Sequence, residues 1–569
     1  MEPSPDRLIL VEAVGGLGEM GHHHLIVDLG PDSFLLDFGA LFPDPRDPGI
    51  EWVAPSPEPA AEREASGRLR GLLLTHGHRD HIGAVTELLR RLPHLPIYGT
   101  SFTLALLESQ LERDDYRGPT PSLRVVDQGR PVAIGEAEVT WFAVTHSIPS
   151  ASSVAIESPW GRVIHSGDFR IQDEPLLGPP SDEAGLRALG ERGVDLALVD
   201  STGAGSPGET LSEAEVVDNL AEQIGEADGR VIVTTFSSHL ERMAGLLEVA
   251  ERTGRRLAVY GRSMDRMVEL GAAQGLFSEM KRGLQPVQSV MAGPRNQALI
   301  AVTGSQGEAR APLSRMARRE DRYRLEEGDV VCWSSRVIPG NEKAVGAVVN
   351  NFLEQGVSVI PPWGAGHGIH TSGHARRDEI ARWLSWVQPR HVLPIHGERW
   401  HLAQHRELLA SVGYSADQVF EVNSGECLRL EPDTGRAQLS PGSAGPSLVL
   451  TGTQVWPQGE AAIRTRRKLA RFGSASLVVL WDERRSRPSG PVCVATQGVF
   501  AEAECAAQEG AVAREVEMVL RDAPDRPRDQ WIEAGRLALR RSIRARSGTK
   551  VPCNCRLLPT ELVVENEMV

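Results

Sequence analysis

The 569-residue chain has few cysteines and few aromatic residues, six and 5% respectively. Six cysteines in a chain of this length do not form the dense disulfide framework of small exported domains. No run reaches the roughly 18 apolar residues that a membrane span needs, and the first residues show no basic segment followed by an apolar stretch. We therefore expect a cytoplasmic protein with no membrane partner and, from its length, about three or four domains.

Basic residues are outnumbered by acidic ones, 61 to 76, so the formal net charge is -15. Non-specific adhesion to nucleic acid usually draws on clustered Lys and Arg, so this class of binding is disfavoured. The charge of the whole chain does not describe a single groove, however, and bound metal ions invert a local field. A nucleic-acid enzyme is therefore not excluded.

The spacing of apolar runs predicts several domains. Over the first 200 residues such runs alternate with turn signals, which indicates a mixed α/β domain. Residues 206–360 alternate strands and helices more strictly, as is typical of parallel strands with crossover helices. Residues 361–438 return to a histidine-containing pattern like the first, so we interpret 206–360 as an insertion. The Gly/Ser/Pro-rich stretch 439–446 predicts a linker, and residues 447–569 a small separate α/β module.

Four candidate metal ligands lie in the motif HGHRDH at residues 76–81, directly after the apolar strand GLLLT. A short loop turns alternate side chains to different sides, so these four cannot all bind one tetrahedral ion. We expect His76 and His78 to face one ion, and Asp80 and His81 to face a second one close by.

Further candidate ligands follow other predicted strands. His146 follows AVT, Asp168 lies in IHSGD and His396 lies in VLPIHGE. We expect Asp168 to bridge the two ions, because a carboxylate offers two oxygens. Asp37, in LLDFG, is expected to orient a ligand. The triple histidine 22–24 is interpreted as a surface feature of the first hairpin.

Paired metals suit the in-line attack of a deprotonated water on a phosphodiester. His374, in HTSGH, is a candidate to protonate the departing oxygen or to hold a phosphate oxygen. Asp80, Asp168 and His374 form the predicted catalytic set.

These motifs resemble known families. HGHRDH with the residues at 37, 146 and 168 resembles the metallo-β-lactamase superfamily, and LVDSTG around Asp200, TSGHA and PIHGE resemble the motifs of the β-CASP nucleases. GGLGEMG, THSIP, HSGDFR, TGSQGE and IPGNE resemble the ribonuclease J family over nearly the whole chain. The resemblance implies an αββα metallo-β-lactamase sandwich (1–205 and 361–438) with an inserted β-CASP parallel α/β domain (206–360) and a small C-terminal α/β module.

The resemblance also implies a function. It implies a ribonuclease with two Zn²⁺ per chain, or Mn²⁺ or Mg²⁺ as the working ions, that serves RNA processing and decay. Such an enzyme acts as a 5′-to-3′ exonuclease on single-stranded RNA with a 5′-monophosphate and also as an endonuclease. The C-terminal module would support a homodimer or homotetramer. Asp200 would support the ligands, and two segments would hold RNA phosphates: Phe236, Ser237, Ser238, His370, Thr371, Ser372, Gly373 and His374.

One of these segments departs from the family pattern. Where the family usually has FASNxHR, residues 236–242 read FSSHLER, so that His239 replaces an asparagine and Glu241 a histidine. A carboxylate near a phosphate pocket is expected to repel the phosphate and to weaken the preference for a 5′-monophosphate.

Three alternatives use the same ligands. A hydrolase of small lactams, thioesters or lactones needs no second large domain over the metals. A DNA-processing β-CASP nuclease usually lacks a histidine at the position of His396. A non-catalytic RNA-binding paralogue does not require the complete ligand set.

Overall fold

Residues 7–44, 47–276, 278–363, 368–522 and 527–559 are described by the computed structural model. Residues 1–6 and 560–569, which the predicted first and last domains include, lie outside the described residues. Contacts divide the chain into two units. The first consists of Met1–Phe42 with Val53–Ser447, and the second of Pro43–Trp52 with Leu448–Val569.

The strands up to residue 441 are, in chain order, β1 (Ile9–Gly15), β2 (Leu17–Gly18), β3 (His24–Leu29), β4 (Asp32–Leu36), β5 (Trp52–Ala54), β6 (Leu69–Leu73), β7 (Pro96–Gly99), β8 (Ser122–Val125), β9 (Val132–Ile134), β10 (Ala137–Ala143), β11 (Ser152–Ser158), β12 (Gly161–His165), β13 (Leu196–Asp200), β14 (Val231–Thr234), β15 (Arg256–Tyr260), β16 (Ala298–Val302), β17 (Val330–Trp333), β18 (Ser358–Ile360), β19 (His391–Ile395), β20 (Gly397–Glu398), β21 (Glu426–Glu431) and β22 (Arg436–Pro441).

The helices of the first unit are α1 (Glu58–Ala65), α2 (Arg79–Ile82), α3 (Val85–Arg91), α4 (Ser101–Arg113), α5 (Glu183–Glu191), α6 (Glu213–Gly225), α7 (Leu240–Arg252), α8 (Arg262–Ala273), α9 (Ser278–Gly283), α10 (Val287–Ala292), α11 (Pro312–Ala317), α12 (Glu342–Leu353), α13 (Arg377–Val387) and α14 (Arg399–Ser411). The second unit contains β23 (Leu448–Thr451), β24 (Gln454–Pro457), α15 (Ala461–Phe472), β25 (Ser474–Asp482), β26 (Arg487–Gln497), α16 (Glu502–Arg521), α17 (Arg528–Ser547) and β27 (Cys553–Pro559).

Two large sheets of the first unit pack face to face. Their strand orders are β22-β21-β1-β3-β4-β6-β7-β8 and β19-β13-β12-β11-β10-β9. Buried side chains of both sheets form one core between them, with Val27 and Phe34 from the first sheet and Trp141 and Val154 from the second. Helices α5, α13 and α14 cover the outer face of the second sheet, and α1 and α4 contact strands of the first. The expected αββα sandwich is confirmed.

The inserted parallel domain is also confirmed by strand pairing. β13 and β19 are parallel neighbours, with Asp200 opposite Ile395, so the chain leaves this sheet after Asp200 and returns to it at β19. Between them lies a parallel sheet of order β15-β16-β14-β17-β18. Val231 and Val233 pack toward α6, α7 and α8, whereas Ile232 packs toward α10, α11 and α12. Such burial on both faces explains the continuous apolar strands.

The second unit is an α/β module, as expected. Its sheet has the order β26-β25-β27, and Val516 of α16 and Leu539 of α17 join Leu477 of β25 in its core. The stretch 439–446 begins inside β22, where Leu439 pairs with Leu428, so its first three residues continue the large sheet. Among the described residues, no helix has both the length and the apolar composition needed to cross a bilayer.

Candidate metal centre

The predicted ligands lie just beyond the carboxyl ends of strands. His76 follows β6, His146 follows β10, Asp168 follows β12 and His396 directly follows β19. Two residues at such ends have left-handed backbone conformations, with φ of 54° at Asp37 and 56° at His396. A non-glycine residue there carries a cost of the order of 1–3 kcal/mol and is often found at functional sites.

Three histidine nitrogens form a first group. His76 Nε2 and His146 Nε2 lie 3.1 and 3.0 Å from His78 Nδ1. Donors around a tetrahedral ion with bonds of about 2.1 Å are about 3.4 Å apart, so the spacing suits one cation. A carboxylate oxygen of Asp168 completes this group within 4.8 Å.

Asp168 also belongs to a second group. Its Oδ2 lies 3.2 Å from Nε2 of both His81 and His396, and 3.7 Å from His76 Nε2 of the first group. Asp80 Oδ2 lies 3.8 and 3.6 Å from the same nitrogens of His81 and His396. Asp168 therefore occupies the position that a bridging carboxylate would take. The structure brings together all seven predicted ligands: His76, His78, Asp80, His81, His146, Asp168 and His396.

Hydrogen bonds to residues outside the ligand set orient the imidazole rings. Nδ1 of His81 donates to Asp37 Oδ2 at 2.7 Å, and Nδ1 of His146 donates to the Gly373 carbonyl at 2.6 Å. Nδ1 of His396 donates to Thr202 Oγ1 at 2.7 Å, and this hydroxyl donates to Asp200 Oδ1 at 2.8 Å. Each contact leaves the Nε2 lone pair facing the group. Sequence reasoning missed Thr202, although its place in DSTG beside Asp200 was an available signal.

The histidines of the site fall into two kinds, those with a raised pKa and those with a lowered pKa. Burial lowers the pKa of His396, but Asp168, Asp80 and Asp200 outweigh it and raise this pKa to about 10. Asp168, Asp80 and Asp37 likewise outweigh burial and raise the pKa of His81. Burial and neighbouring imidazoles hold the pKa of His76 and of His146 well below the usual value.

Several buried polar atoms at the centre have no hydrogen bond within the described residues. They include Nε2 of His81, Nε2 of His396 and Oδ1 of Asp168. Divalent cations would satisfy these atoms and balance the carboxylates, so the donor set fits a pair of metal ions.

The segment 370–374 lies beside the two groups. His374 Nδ1 donates to Asp200 Oδ2 at 2.8 Å, and its ring lies 5.1 Å from the rings of both His146 and His396. The His374 side chain is 20% exposed, so solvent reaches it. Ser372 Oγ accepts the His374 amide hydrogen bond at 3.1 Å. His370 and Thr371 precede these residues in the same segment.

The other predicted RNA contacts, Phe236, Ser237 and Ser238, are half-buried between β14 and α7. None of them belongs to a ligand group of the described residues. They lie at the amino end of α7, where the N–H groups of His239 and Leu240 donate to the carbonyls of Phe236 and Ser238.

The triple histidine corrects the sequence interpretation. His22, His23 and His24 are buried, with 3%, 6% and 0% of their surface exposed, so they are not surface residues. His23 joins Asp80, His81 and His396 in a ligand group. Its neighbour His24 donates through Nδ1 to the Asp37 carbonyl at 2.8 Å.

Known proteins match nearly the whole chain. Family models match as "Ribonuclease J, beta-CASP domain" over residues 228–352, "Beta-lactamase superfamily domain" over 46–261 and "Zn-dependent metallo-hydrolase RNA specificity domain" over 367–419. Ribonuclease J of Sinorhizobium meliloti is 36% identical over 484 residues, which cover 84% of each chain. Ribonuclease J of Mycolicibacterium smegmatis is 33% identical over 515 residues, which cover 90% of each. The chain belongs to the ribonuclease J family.

A solved structure shows the fold alone. The crystal structure of a protein of unknown function from Enterococcus faecalis V583 matches with a TM-score of 0.53 at 15% identity, over 74% of this chain and 100% of that one.

In this ribonuclease J family member, Glu241 does not act as the sequence led us to expect. Its carboxylate is buried and accepts from Arg170 Nη2 at 2.7 Å and from the Leu176 amide at 2.9 Å. Because Arg170 balances its charge, the expected repulsion of a phosphate does not follow. His239 also has a structural role, because its Nδ1 accepts a hydrogen bond from the Arg242 amide and thereby caps α7.

Arg170 links this carboxylate to the metal centre. Its guanidinium also contacts Glu213 Oε1 at 3.2 Å and donates to the Ser372 carbonyl at 3.3 Å. Glu213 in turn accepts two hydrogen bonds from Arg242, at 2.7 and 2.9 Å. Two arginines and two glutamates thus form a buried, charge-balanced network between the inserted domain and the segment of His374.

We expect Glu241→Gln to lower the free energy of unfolding by the order of 3 kcal/mol, because it leaves one buried positive charge unbalanced. Urea unfolding of the full chain measures this change. Glu112→Gln is the matched control, since Glu112 pairs with Arg266 while 76% of its side chain is exposed, and a change below about 1 kcal/mol is expected there. Equal stabilities of the two variants would contradict the role of the network.

Proposed function

We propose that this chain hydrolyses RNA phosphodiesters with two divalent metal ions, which its seven clustered ligands hold. The observation that carries the proposal is the position of Asp168 Oδ2, between two groups of imidazole nitrogens, in a chain of the ribonuclease J family. Relatives named ribonuclease J and an RNA specificity domain match the chain, which supports RNA as the substrate.

Bound divalent ions supply Lewis-acid polarisation of the phosphodiester and lower the pKa of a water that attacks it. The protein positions its own groups for this step. Asp200 holds Nδ1 of His374, so Nε2 of this solvent-reached ring is free to donate a proton to the departing oxygen. Asp37 and Thr202 keep His81 and His396 in the required orientation.

We infer that zinc is the resident metal, because imidazole nitrogens predominate among the donors and suit Zn²⁺. Mn²⁺ or Mg²⁺ as the working ion is the alternative, and metal analysis of the purified protein distinguishes them. Single-stranded RNA would lie between the sandwich (1–205 and 361–438) and the inserted domain (206–360). Hydroxyls of residues 237, 238 and 372 suit phosphate oxygens without adding positive charge, which agrees with the acidic chain.

The mode of cleavage is tested with end-labelled RNA. We expect single-stranded RNA with a 5′-monophosphate to be shortened stepwise from its 5′ end, and internal cleavage to occur as well. RNA with a 5′-triphosphate should yield internal cuts only. Single-stranded DNA of the same sequence and a chromogenic lactam are the comparison substrates. Hydrolysis of the lactam or the DNA, while the RNA remains uncleaved, would contradict the proposal.

His76→Ala and Asp80→Ala should each lower the RNA cleavage rate by more than about 100-fold, because even groups that only orient a metal ligand contribute 10–100-fold. RNA binding should survive, which a filter-binding assay measures. Asp127→Ala is the control, since Asp127 is an exposed aspartate outside the ligand groups. Undiminished cleavage by either ligand variant in metal-free buffer would refute the proposed site.

We also propose that the C-terminal module (447–569) mediates assembly into a homodimer or homotetramer. Met518 and Val519 of α16 are 60% and 52% exposed, which supports an apolar contact surface there. Replacing both with Glu should reduce the mass found by sedimentation of the full chain. Leu353→Glu, at an exposed position of the inserted domain, should not. A wild-type chain that sediments as a monomer would contradict this proposal.

A further inference from the structure

The backbone of His23 is fixed against the loop that carries HGHRDH. Its N–H donates to the Asp80 carbonyl at 3.1 Å, and its own carbonyl accepts from the Gly39 amide at 2.9 Å. A Cβ at Gly39 would lie 1.4 Å from the Asp80 carbonyl oxygen, so only glycine permits this approach. His23 is therefore held beside Asp80 independently of its side chain.

The His23 ring is packed among proposed metal ligands. It stacks on His396 with ring centroids 3.8 Å apart and an angle of 13°, and it lies 4.7 Å from the His81 ring. Nε2 is buried and makes no hydrogen bond to any described residue. Its distance of 3.9 Å from Asp80 Oδ2 is too long for a hydrogen bond. A buried nitrogen without a partner costs about 1–3 kcal/mol and requires an explanation.

The distances suit a shared ion. One ligand atom from each of His23, Asp80, His81 and His396 lies within 4.8 Å of the others. Two donors on opposite sides of one ion are about 4.2 Å apart, so the 3.9 Å between His23 Nε2 and Asp80 Oδ2 fits a common cation. Ions of this type also accept five donors.

We propose that His23 Nε2 is an additional, fifth protein ligand of the second metal ion, beside Asp80, His81, Asp168 and His396. The inference rests on the proposed two-metal function and adds a donor to one of its sites. Its consequence is a higher affinity of the second site for its ion and a coordination number above four.

His23→Phe separates ligation from packing, because phenylalanine keeps an aromatic ring against His396 and removes the nitrogen. His22→Phe is the matched control. His22 is an adjacent buried histidine that also has an unpartnered Nε2, but it belongs to no ligand group of the described residues. His23→Gln is a second variant, in case the phenylalanine variant does not fold. The glutamine side chain is too short to reach the ion, so we expect the same loss of metal affinity.

The full-length metal-free protein is titrated with Co²⁺, by equilibrium dialysis with metal analysis and by visible absorption. We expect two ions per chain for the wild type and for His22→Phe. In His23→Phe the second ion should bind at least about 10-fold more weakly, and its visible absorption should intensify, as four-coordinate Co²⁺ absorbs more strongly than five-coordinate Co²⁺.

The two proposals fail in different ways. Identical affinity and spectrum in His23→Phe and the wild type, each with two ions bound, would overturn the role of His23 and leave the two-metal site intact. A wild type that binds fewer than two ions would overturn the two-metal function itself.

Discussion

The carboxylate oxygen Asp168 Oδ2 is the point on which the rest of the site depends. Nε2 atoms of His76, His81, His146 and His396 all lie within 3.9 Å of it. Lone pairs directed at one another in a buried place repel unless positive charge lies between them. Asp37 and His396 adopt left-handed backbone conformations where these groups come together, and such conformations are unfavourable in free energy for non-glycine residues.

The inserted domain is constrained by the same centre. The chain leaves the sandwich after Asp200, at the end of β13, and returns to it through the neighbouring strand β19, which ends directly before His396. Thr202 connects these two residues by hydrogen bonds, so the insertion point is also part of the scaffold of the metal centre. The network of Arg170, Glu213, Glu241 and Arg242 then fixes α6 and α7 to the chain that follows Asp168. A buried network of this kind specifies an orientation more than it adds stability.

The roles of Glu241 and of the triple histidine depend on the residues that surround them in the folded chain. Glu241 considered alone implies repulsion of a phosphate, whereas with Arg170 it forms a neutral buried pair. The histidines at 22–24 considered alone imply a polar turn, whereas the close approach of Gly39 to the Asp80 carbonyl brings His23 among the ligands. The effect of a charged or ligating side chain depends on what lies within a few ångströms of it.

The sequence by itself was sufficient for the family, the αββα sandwich, the inserted parallel domain and the set of candidate ligands. The family and the sandwich follow from the resemblance of several motifs to known families, whereas the inserted domain and the candidate ligands follow from local patterns: strand and helix periodicity, strand ends, and four candidate ligands within six residues. The sequence did not reveal that residues 22–24 are buried, that Glu241 pairs with Arg170 or that Thr202 orients His396. The contacts that orient His81, His396 and His146 join residues 44, 194 and 227 positions apart. Only the tertiary structure decides such contacts, because local periodicity carries no information about which distant side chains meet.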